Sequence, residues 1–163
     1  MNKDLLQCIK QLSSNNLEEI ISIRRHIHQN PELAFEEYET AKFVSSILKK
    51  HQIEHQTGIA KTGIVALIKG RNPEKRCVAF RADLDALPIT ETNTHDFISK
   101  NIGKMHACGH DYHTATLLGA GVVLNKLKDK FEGTIKLIFQ PSEEKMPGGA
   151  KIMIENGVLE NPK

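Results

Sequence analysis

The chain has 163 residues, of which 39% are hydrophobic and 26% are charged. This balance is typical of a globular domain and excludes a disordered or fibrous chain. Lys and Arg number 22 against 20 Asp and Glu, so the net charge of +2 provides no basic field of the kind that marks nucleic-acid or anionic-membrane binding.

The sequence contains no predicted secretory or membrane segment. Its first residues lack the apolar core and small-residue cleavage site of a signal peptide, and no apolar run is long enough to span a bilayer. The three cysteines are an odd number without a Cys-x-x-Cys pair, which argues against a disulfide framework. We therefore expect a cytoplasmic protein.

The first fifty residues show helical periodicity. Apolar residues recur at helical spacing at Leu5, Leu6, Ile9 and Leu12. The polar cluster 13–16 predicts a break there, with Asn16 and Glu19 forming a capping box for a second helix. That helix is predicted to end near Gln29, because Pro31 disfavours helical geometry in the residue before it. A third amphipathic helix follows, with an apolar face formed by Ala41, Val44, Ile47 and Leu48.

From His55 onward the pattern changes to short apolar runs that are typical of strands. The runs 63–68 and 77–80 are separated by a turn-forming stretch, and both are predicted to be buried strands. A helix is predicted over 112–126, a strand over 134–139 and a helix over 148–156 that is closed by Gly157. Helices that alternate with apolar strands predict an α/β fold with a largely parallel or mixed sheet.

The segment 103–113 concentrates side chains that bind transition metals. Within eight residues it contains His106, Cys108, His110, Asp111 and His113. Imidazole, thiolate and carboxylate groups are the ligands that such metals prefer, and an adjacent glycine allows the backbone to turn tightly. A metal site is therefore the favoured hypothesis. Two alternatives stay open: a helix-capping loop around a buried Cys108, and a thiol hydrolase in which a histidine activates Cys108.

Acidic side chains follow two of the predicted strands. Glu143 and Glu144 come directly after the strand at 134–139, while Asp83 and Asp85 follow the strand at 77–80. Ligands collect at strand ends in α/β sheets, and adjacent carboxylates can act as metal ligand and proton acceptor. We expect both acidic segments and the histidine segment to converge on one edge of the sheet, although each acid separately also fits a loop charge or a helix cap.

A basic segment precedes the turn at Pro31. Arg24, Arg25, His26 and His28 could bind metal or an anion. On a helix that ends before a proline, such residues more often provide capping and salt bridges. We therefore expect this segment to be structural.

Four ordered motifs resemble those of the metallo-aminoacylase and carboxypeptidase family, in its hippurate hydrolase and indole-acetyl-amino-acid hydrolase branch. They are 24–32 (RRHIHQNPE), 80–88 (FRADLDALP), 105–111 (MHACGHD) and 139–144 (FQPSEE), followed by 148–150 (GGA). The resemblance covers nearly the whole chain. It implies an α/β zinc-peptidase-like catalytic domain, with helices packed on a mixed sheet, of which residues 1–163 form the N-terminal part.

The resemblance also implies roles for individual residues. Cys108, His110 and Glu144 match metal ligands, Glu143 matches the general base, and Asp85 matches an aspartate that orients the site. Asp83 is left out of the ligand set, because its position differs in role among relatives. The implied cofactors are two divalent ions, zinc or manganese, and the implied reaction is metal-assisted hydrolysis of N-acyl amino acids such as hippurate, or of small peptides.

Relatives in this family are more than twice as long as this chain, and they contain an inserted domain that dimerises and covers the site. The resemblance therefore implies that the lid domain and the rest of the catalytic domain lie outside these 163 residues, which by themselves should be inactive. One sheet edge is expected to be exposed and to support self-association or pairing with a C-terminal half. A non-catalytic remnant that associates through this edge is the alternative function.

Overall fold

A computed structural model describes residues 3–160 and 162. The chain end at Lys163, on which the expectation of a partial domain depends, lies outside the described residues. The elements are α1 (Lys3–Gln29), α2 (Tyr38–Lys50), β1 (Glu54–Ile59), β2 (Gly63–Lys69), β3 (Cys77–Asp83), α3 (His110–Lys126), β4 (Thr134–Gln140) and α4 (Gly149–Glu155). No helix in the described part is long and apolar enough to cross a membrane.

The four strands form one mixed sheet in the order β1-β2-β4-β3. The pairs β1/β2 and β2/β4 are antiparallel, and β3/β4 is parallel with Asp83 opposite Gln140. The carboxyl ends of β3 and β4 therefore lie side by side, so the loops that follow them leave the sheet at the same edge. The predicted α/β fold with helices packed on a mixed sheet is confirmed.

Apolar side chains cover both faces of the sheet. The larger core includes residues of α1, α2 and α3 packed on three strands; its least exposed members include Ile27, Leu48, Ile64, Leu118, Leu137 and Phe139. Neighbouring residues on a strand point to opposite faces, and Ile138 accordingly packs on the other side with Met153 of α4. Full burial of such side chains contributes about 1.5–3 kcal/mol each, so both layers hold β4 in place.

The first helix is continuous, and the predicted break at 13–16 is wrong. The Asn16 side chain donates to the carbonyl of Leu12 one turn earlier, and its oxygen lies 3.3 Å from Lys126 Nζ of α3. Glu19 pairs with Lys50 instead of forming a capping box. Because these polar groups find partners without leaving the helix, packing against α3 overrides their weak helix propensity.

Strand β3 was predicted to be buried, but it forms an open edge of the sheet in the described part of the chain. Val78 is 46% exposed and Phe80 is 48% exposed, because β3 pairs on one side only, with β4. The prediction of a strand here is confirmed and the prediction of its burial is wrong. The expected exposed sheet edge is present.

Candidate metal centre

The three segments that were predicted to converge meet at the carboxyl ends of β3 and β4. Their meeting point is the imidazole of His110, the first residue of α3. Its Nε2 lies 3.8 Å from Asp83 Oδ2, 3.8 Å from Glu143 Oε2 and 4.0 Å from Glu144 Oε1. Carboxylates from the end of β3 and from the loop after β4 therefore lie near one ring nitrogen.

The orientation of His110 is set by its neighbours. Gly109 adopts φ 94°, a left-handed conformation that favours glycine, and starts the helix without a side-chain cap. His110 Nδ1 lies 2.9 Å from the carbonyl oxygen of Asp85, to which it donates. In the neutral ring this hydrogen bond leaves the Nε2 lone pair directed at the acidic groups, as a metal ligand requires.

Cys108 completes a ligand set of three chemical types. Ligand atoms of Cys108, His110 and Glu144 all lie within 4.8 Å of one another. Cys108 is half-buried and forms no disulfide, and its Sγ lies 3.9 Å from the Asp85 carbonyl oxygen. The structure thus brings together the three residues that were predicted as metal ligands, in a set that suits zinc and related ions.

Asp85 lies beneath this cluster and is fully buried. Its Oδ2 accepts a hydrogen bond from the Glu144 backbone amide at 2.9 Å, and its Oδ1 lies 3.3 Å from His110 Nδ1. Burial favours a raised pKa for Asp85, but hydrogen bonds from His110 and from the amides of Glu144 and Glu143 lower its pKa below the ordinary value. An ionised Asp85 therefore contacts two of the three predicted ligands.

The electrostatics of the cluster favour a cation. Burial alone would lower the pKa of His110, but its hydrogen bonds to Asp85 and the nearby Cys108 raise this pKa to about 11. The acidic groups around the ring therefore stabilise positive charge at this point. A divalent ion would compensate the same groups, and its binding would displace the imidazole proton.

Glu143 and Glu144 differ in exposure, although they are adjacent. The Glu143 side chain is 44% exposed and that of Glu144 is 29% exposed. Only Glu144 belongs to the ligand group with Cys108. Glu143 is therefore the more solvent-accessible of the two acids that lie near His110.

His113 is a candidate ligand that the sequence interpretation did not assign. Its Nδ1 lies 3.3 Å from Asp83 Oδ2, and Asp83, His110 and His113 form a second group with ligand atoms within 4.8 Å. Asp83, which was left out of the ligand set, thus lies at the cluster, although Arg81 also binds its Oδ1 at 2.6 Å. The three-residue spacing of His110 and His113 in a first helical turn could have indicated this pair.

The basic segment before Pro31 is structural at Arg24, as expected, and Glu32, which follows that proline, makes further structural contacts. Arg24 Nε lies 2.8 Å from Asp111 Oδ2 and ties α1 to the start of α3. Glu32 accepts hydrogen bonds from the backbone amide and the hydroxyl of Thr40, at 2.7 and 2.8 Å, in the first turn of α2. These contacts hold the helices in position. The residues of the cluster around His110 come from the later motifs.

Residues 79–163 match the sequence pattern of the peptidase family M20/M25/M40. The chain belongs to this family. A similar protein is the N-acyl-L-amino acid amidohydrolase of Geobacillus stearothermophilus, 46% identical over 152 residues, which are 93% of this M20 chain and 41% of the relative. Thermostable carboxypeptidase 2 of Saccharolobus solfataricus is 50% identical over 158 residues, 96% of this chain and 40% of the relative.

A solved structure extends the comparison to the fold. The YXEP protein of Bacillus subtilis, described as a dinuclear metal binding peptidase from the M20 family, matches with a TM-score of 0.81 and 43% identity over 92% of this chain and 41% of its own. The M20 chain thus spans about 40% of the length of these relatives. The family resemblance that the four motifs carried is confirmed.

Proposed function

We propose that this chain forms part of the active site of a metal-dependent amidohydrolase that cleaves N-acyl amino acids or small peptides. The observation that carries the proposal is the group of Cys108, His110 and Glu144, with ligand atoms within 4.8 Å at the carboxyl ends of two parallel strands. The substrate class is supported by similarity to an N-acyl-L-amino acid amidohydrolase and to a carboxypeptidase.

The cofactors we propose are two divalent ions, zinc or manganese. One similar protein is described as dinuclear, and the donor groups here fit such ions, because thiolate favours zinc while carboxylate and imidazole also accept manganese. When bound, the ions polarise the scissile carbonyl and acidify the attacking water. Cys108, His110 and Glu144 would hold them.

We assign the remaining roles in the reaction, proton transfer and positioning of the ligands, to Glu143 and Asp85. Glu143 would accept the proton of the attacking water on its carboxylate and pass it to the leaving amine, since it is the more exposed acid beside the cluster. Asp85 would keep His110 and Glu144 in position through its two carboxylate oxygens. No covalent bond between enzyme and substrate is needed.

Three finer expectations accompany this function. We infer self-association, or pairing with a further part of the protein, through the exposed edge of β3. A cytoplasmic location is supported by the three free cysteines. The negligible activity of a polypeptide limited to these 163 residues also stays a prediction, since Cys108, His110 and Glu144 are few ligands for two ions.

The test of the metal assignment uses a signal that depends on the thiolate. Co²⁺ bound through Cys108 should give a thiolate-to-metal charge-transfer absorption, which reports this site and no site made of histidine and carboxylate alone. We expect the band in the wild-type chain and its loss in the variant that combines Cys108→Ala with His110→Ala. Addition of a chelator should abolish it as well.

The matched control combines Cys8→Ala with His26→Ala, which removes the same two residue types from exposed positions on α1. The control should keep the full band. A band of equal intensity after removal of Cys108 and His110 would refute the assignment of these two residues as ligands.

A further inference from the structure

A second group of metal-binding side chains lies outside the cluster around His110. It consists of His28 near the end of α1 with Glu91 and His95 of the loop after β3, and their ligand atoms lie within 4.8 Å of one another. Nε2 of His28 is 3.1 Å from Glu91 Oε1, and Nε2 of His95 is 3.3 Å from the same oxygen. The Nε2 atoms of both imidazoles thus lie close to one carboxylate oxygen.

The spacing of these atoms fits a tetrahedral ion. With bonds of about 2.0–2.2 Å to nitrogen and oxygen, two ligand atoms on a tetrahedral zinc ion lie roughly 3.3–3.5 Å apart. The two measured nitrogen–oxygen separations are 3.1 and 3.3 Å, close to that value. Small side-chain shifts would therefore admit an ion without a change in the backbone.

The far side of the His28 ring is arranged as it is in histidines that bind metal. Nδ1 of His28 lies 2.7 Å from Asp111 Oδ2, a buried carboxylate to which the ring donates. In the neutral tautomer this bond leaves the Nε2 lone pair facing Glu91, where two electron-rich atoms repel unless a proton or a cation lies between them. A carboxylate that holds a histidine in this way orients the ring and increases its basicity toward a metal.

A single ion would satisfy both rings and the carboxylate at once. Glu91 Oε1 is approached by His28, by His95 and, at 3.0 Å, by the Asn93 amide, so hydrogen bonds alone require three donors to share one oxygen. The His28 and Glu91 side chains are each 3% exposed, whereas His95 is 32% exposed and gives the group contact with solvent. The ring of His95 is held by stacking on Phe97 at 3.8 Å.

We propose that His28, Glu91 and His95 form a transition-metal site, separate from the Cys108 cluster, that takes a structural zinc ion. It has three protein ligands and room for a fourth ligand from solvent. Bound there, the ion fastens the loop after β3 to the end of α1, and through Asp111 it stiffens the start of α3.

The experiment measures zinc per chain by calorimetric titration and elemental analysis in the wild type and in His95→Ala. We expect the variant to bind about one zinc ion fewer per chain, while its Co²⁺ thiolate band is unchanged, because none of the three proposed ligands of this second site is a cysteine. Zinc should also raise the Tm of the wild type more than that of the variant. His51→Ala, which removes another half-buried histidine, should bind as much zinc as the wild type.

His95 lies in a loop, so its replacement should leave the fold intact, and circular dichroism checks this. His95→Gln and Glu91→Gln serve as second variants and should show the same loss of about one zinc ion. Equal zinc content in His95→Ala and the wild type, or zinc binding confined to the thiolate site, would overturn the proposal. His28, Glu91 and His95 would then be linked by hydrogen bonds alone. Since the thiolate band and the zinc count are separate readouts, either assignment can fail without the other.

Discussion

At the scale of single residues, Glu37 fixes the loop that carries Glu143 and Glu144. It is fully buried, its Oε1 accepts from the Ser142 amide at 2.8 Å, and its Oε2 accepts from the Thr62 hydroxyl at 2.6 Å. Ser142 has φ 47°, a left-handed conformation that costs a residue other than glycine roughly 1–2 kcal/mol. The hydrogen bond that Ser142 donates to Glu37 offsets that cost, so the acidic loop depends on a residue from the first part of the chain.

We predict that Glu37→Gln changes how stability depends on pH. Burial raises the pKa of Glu37, despite hydrogen bonds from Thr62 and Ser142 that act in the opposite direction. With a raised pKa in the folded state, the contribution of Glu37 to stability is complete below the unfolded-state pKa and is lost as pH rises through the folded-state pKa. The unfolding free energy of the wild type should exceed that of Glu37→Gln by an amount that decreases from about pH 4 upward. Urea unfolding in the presence of a chelator measures this difference.

Glu18→Gln is the control for this prediction, because Glu18 is exposed on α1. The difference in unfolding free energy between Glu18→Gln and the wild type should be the same at every pH. A difference between wild type and Glu37→Gln that stays constant with pH would contradict a raised pKa.

The role of Glu143 can be tested in a protein that joins this chain to the remaining length of an M20 relative. Glu143→Gln should lower the turnover of N-acyl amino acids by roughly 10²–10⁴-fold, because the amide cannot accept a proton from water. Metal content and fold should be unchanged. Glu155→Gln, an exposed change on α4, should keep full turnover; near-normal turnover in Glu143→Gln would assign the base to another residue.

The sequence indicated the candidate ligands of the cluster, but not the residues that hold them in position. Cys108, His110 and Glu144 were assigned as candidate ligands because the motifs that contain them resemble those of a known family. Glu37 could not, since its bond to Ser142 joins residues 105 positions apart and a lone glutamate carries no motif. The sequence likewise gives no sign that Glu91 contacts His28, because only the fold brings this loop residue close to α1.

At the scale of elements, local periodicity predicted the helices and strands, but not their neighbours. The bounds of α2, β2, β4 and α4 follow the apolar pattern closely. The polar strand β1 was not assigned bounds, because its sequence, EHQTGI, contains no apolar run. The burial of β3 was overestimated from its apolar sequence. Burial of a strand depends on its position in the sheet, and apolar content does not determine the strand order.

A glycine at the start of α4 provides a test of how closely two elements approach. A Cβ added at Gly149 would lie 1.9 Å from the Pro141 carbonyl oxygen, a backbone atom that cannot rotate away. Gly149→Ala should therefore cost about 2 kcal/mol or more of unfolding free energy and displace the acidic loop, which weakens the Co²⁺ thiolate band. Both effects can be followed by urea unfolding and absorption.

Gly119→Ala is the matched change, because its added Cβ would meet side-chain atoms of Ile20, Cδ1 at 2.4 Å and Cγ1 at 2.9 Å, and no backbone atom is among its three nearest neighbours. The alanine also raises helix propensity within α3, by about 1 kcal/mol. We expect a smaller loss of stability than for Gly149→Ala. If Gly149→Ala were as stable as the wild type, the close contact between α4 and the end of β4 would not exist in solution.

At the scale of the whole molecule, the open edge of β3 is the main exposed feature. Among residues 3–160 and 162, no strand pairs with the outer side of β3, and Val78 and Phe80 are about half exposed. Edges of this kind pair with other strands unless charge or proline opposes them. The proposed self-association, or pairing with a further part of the protein, would cover this edge.

We predict that charge on this edge suppresses self-association. Val78→Lys combined with Phe80→Lys should shift the chain toward the monomer in size-exclusion chromatography with light scattering, because lysines on an edge strand oppose pairing. Ile102→Lys is the control, since Ile102 is 95% exposed but lies in a loop. A monomeric wild-type chain, or association that the two lysines leave unchanged, would rule out pairing through β3.

The central position of β4 also governs how the chain folds during synthesis. β3 leaves the ribosome before α3, but its partner β4 follows only after α3 is complete. The β1/β2 hairpin can form early from local contacts, whereas the rest of the sheet waits for Thr134–Gln140. During that interval Val78 and Phe80 lie on a strand without its partner, so we expect the nascent chain to be prone to misassembly until β4 emerges.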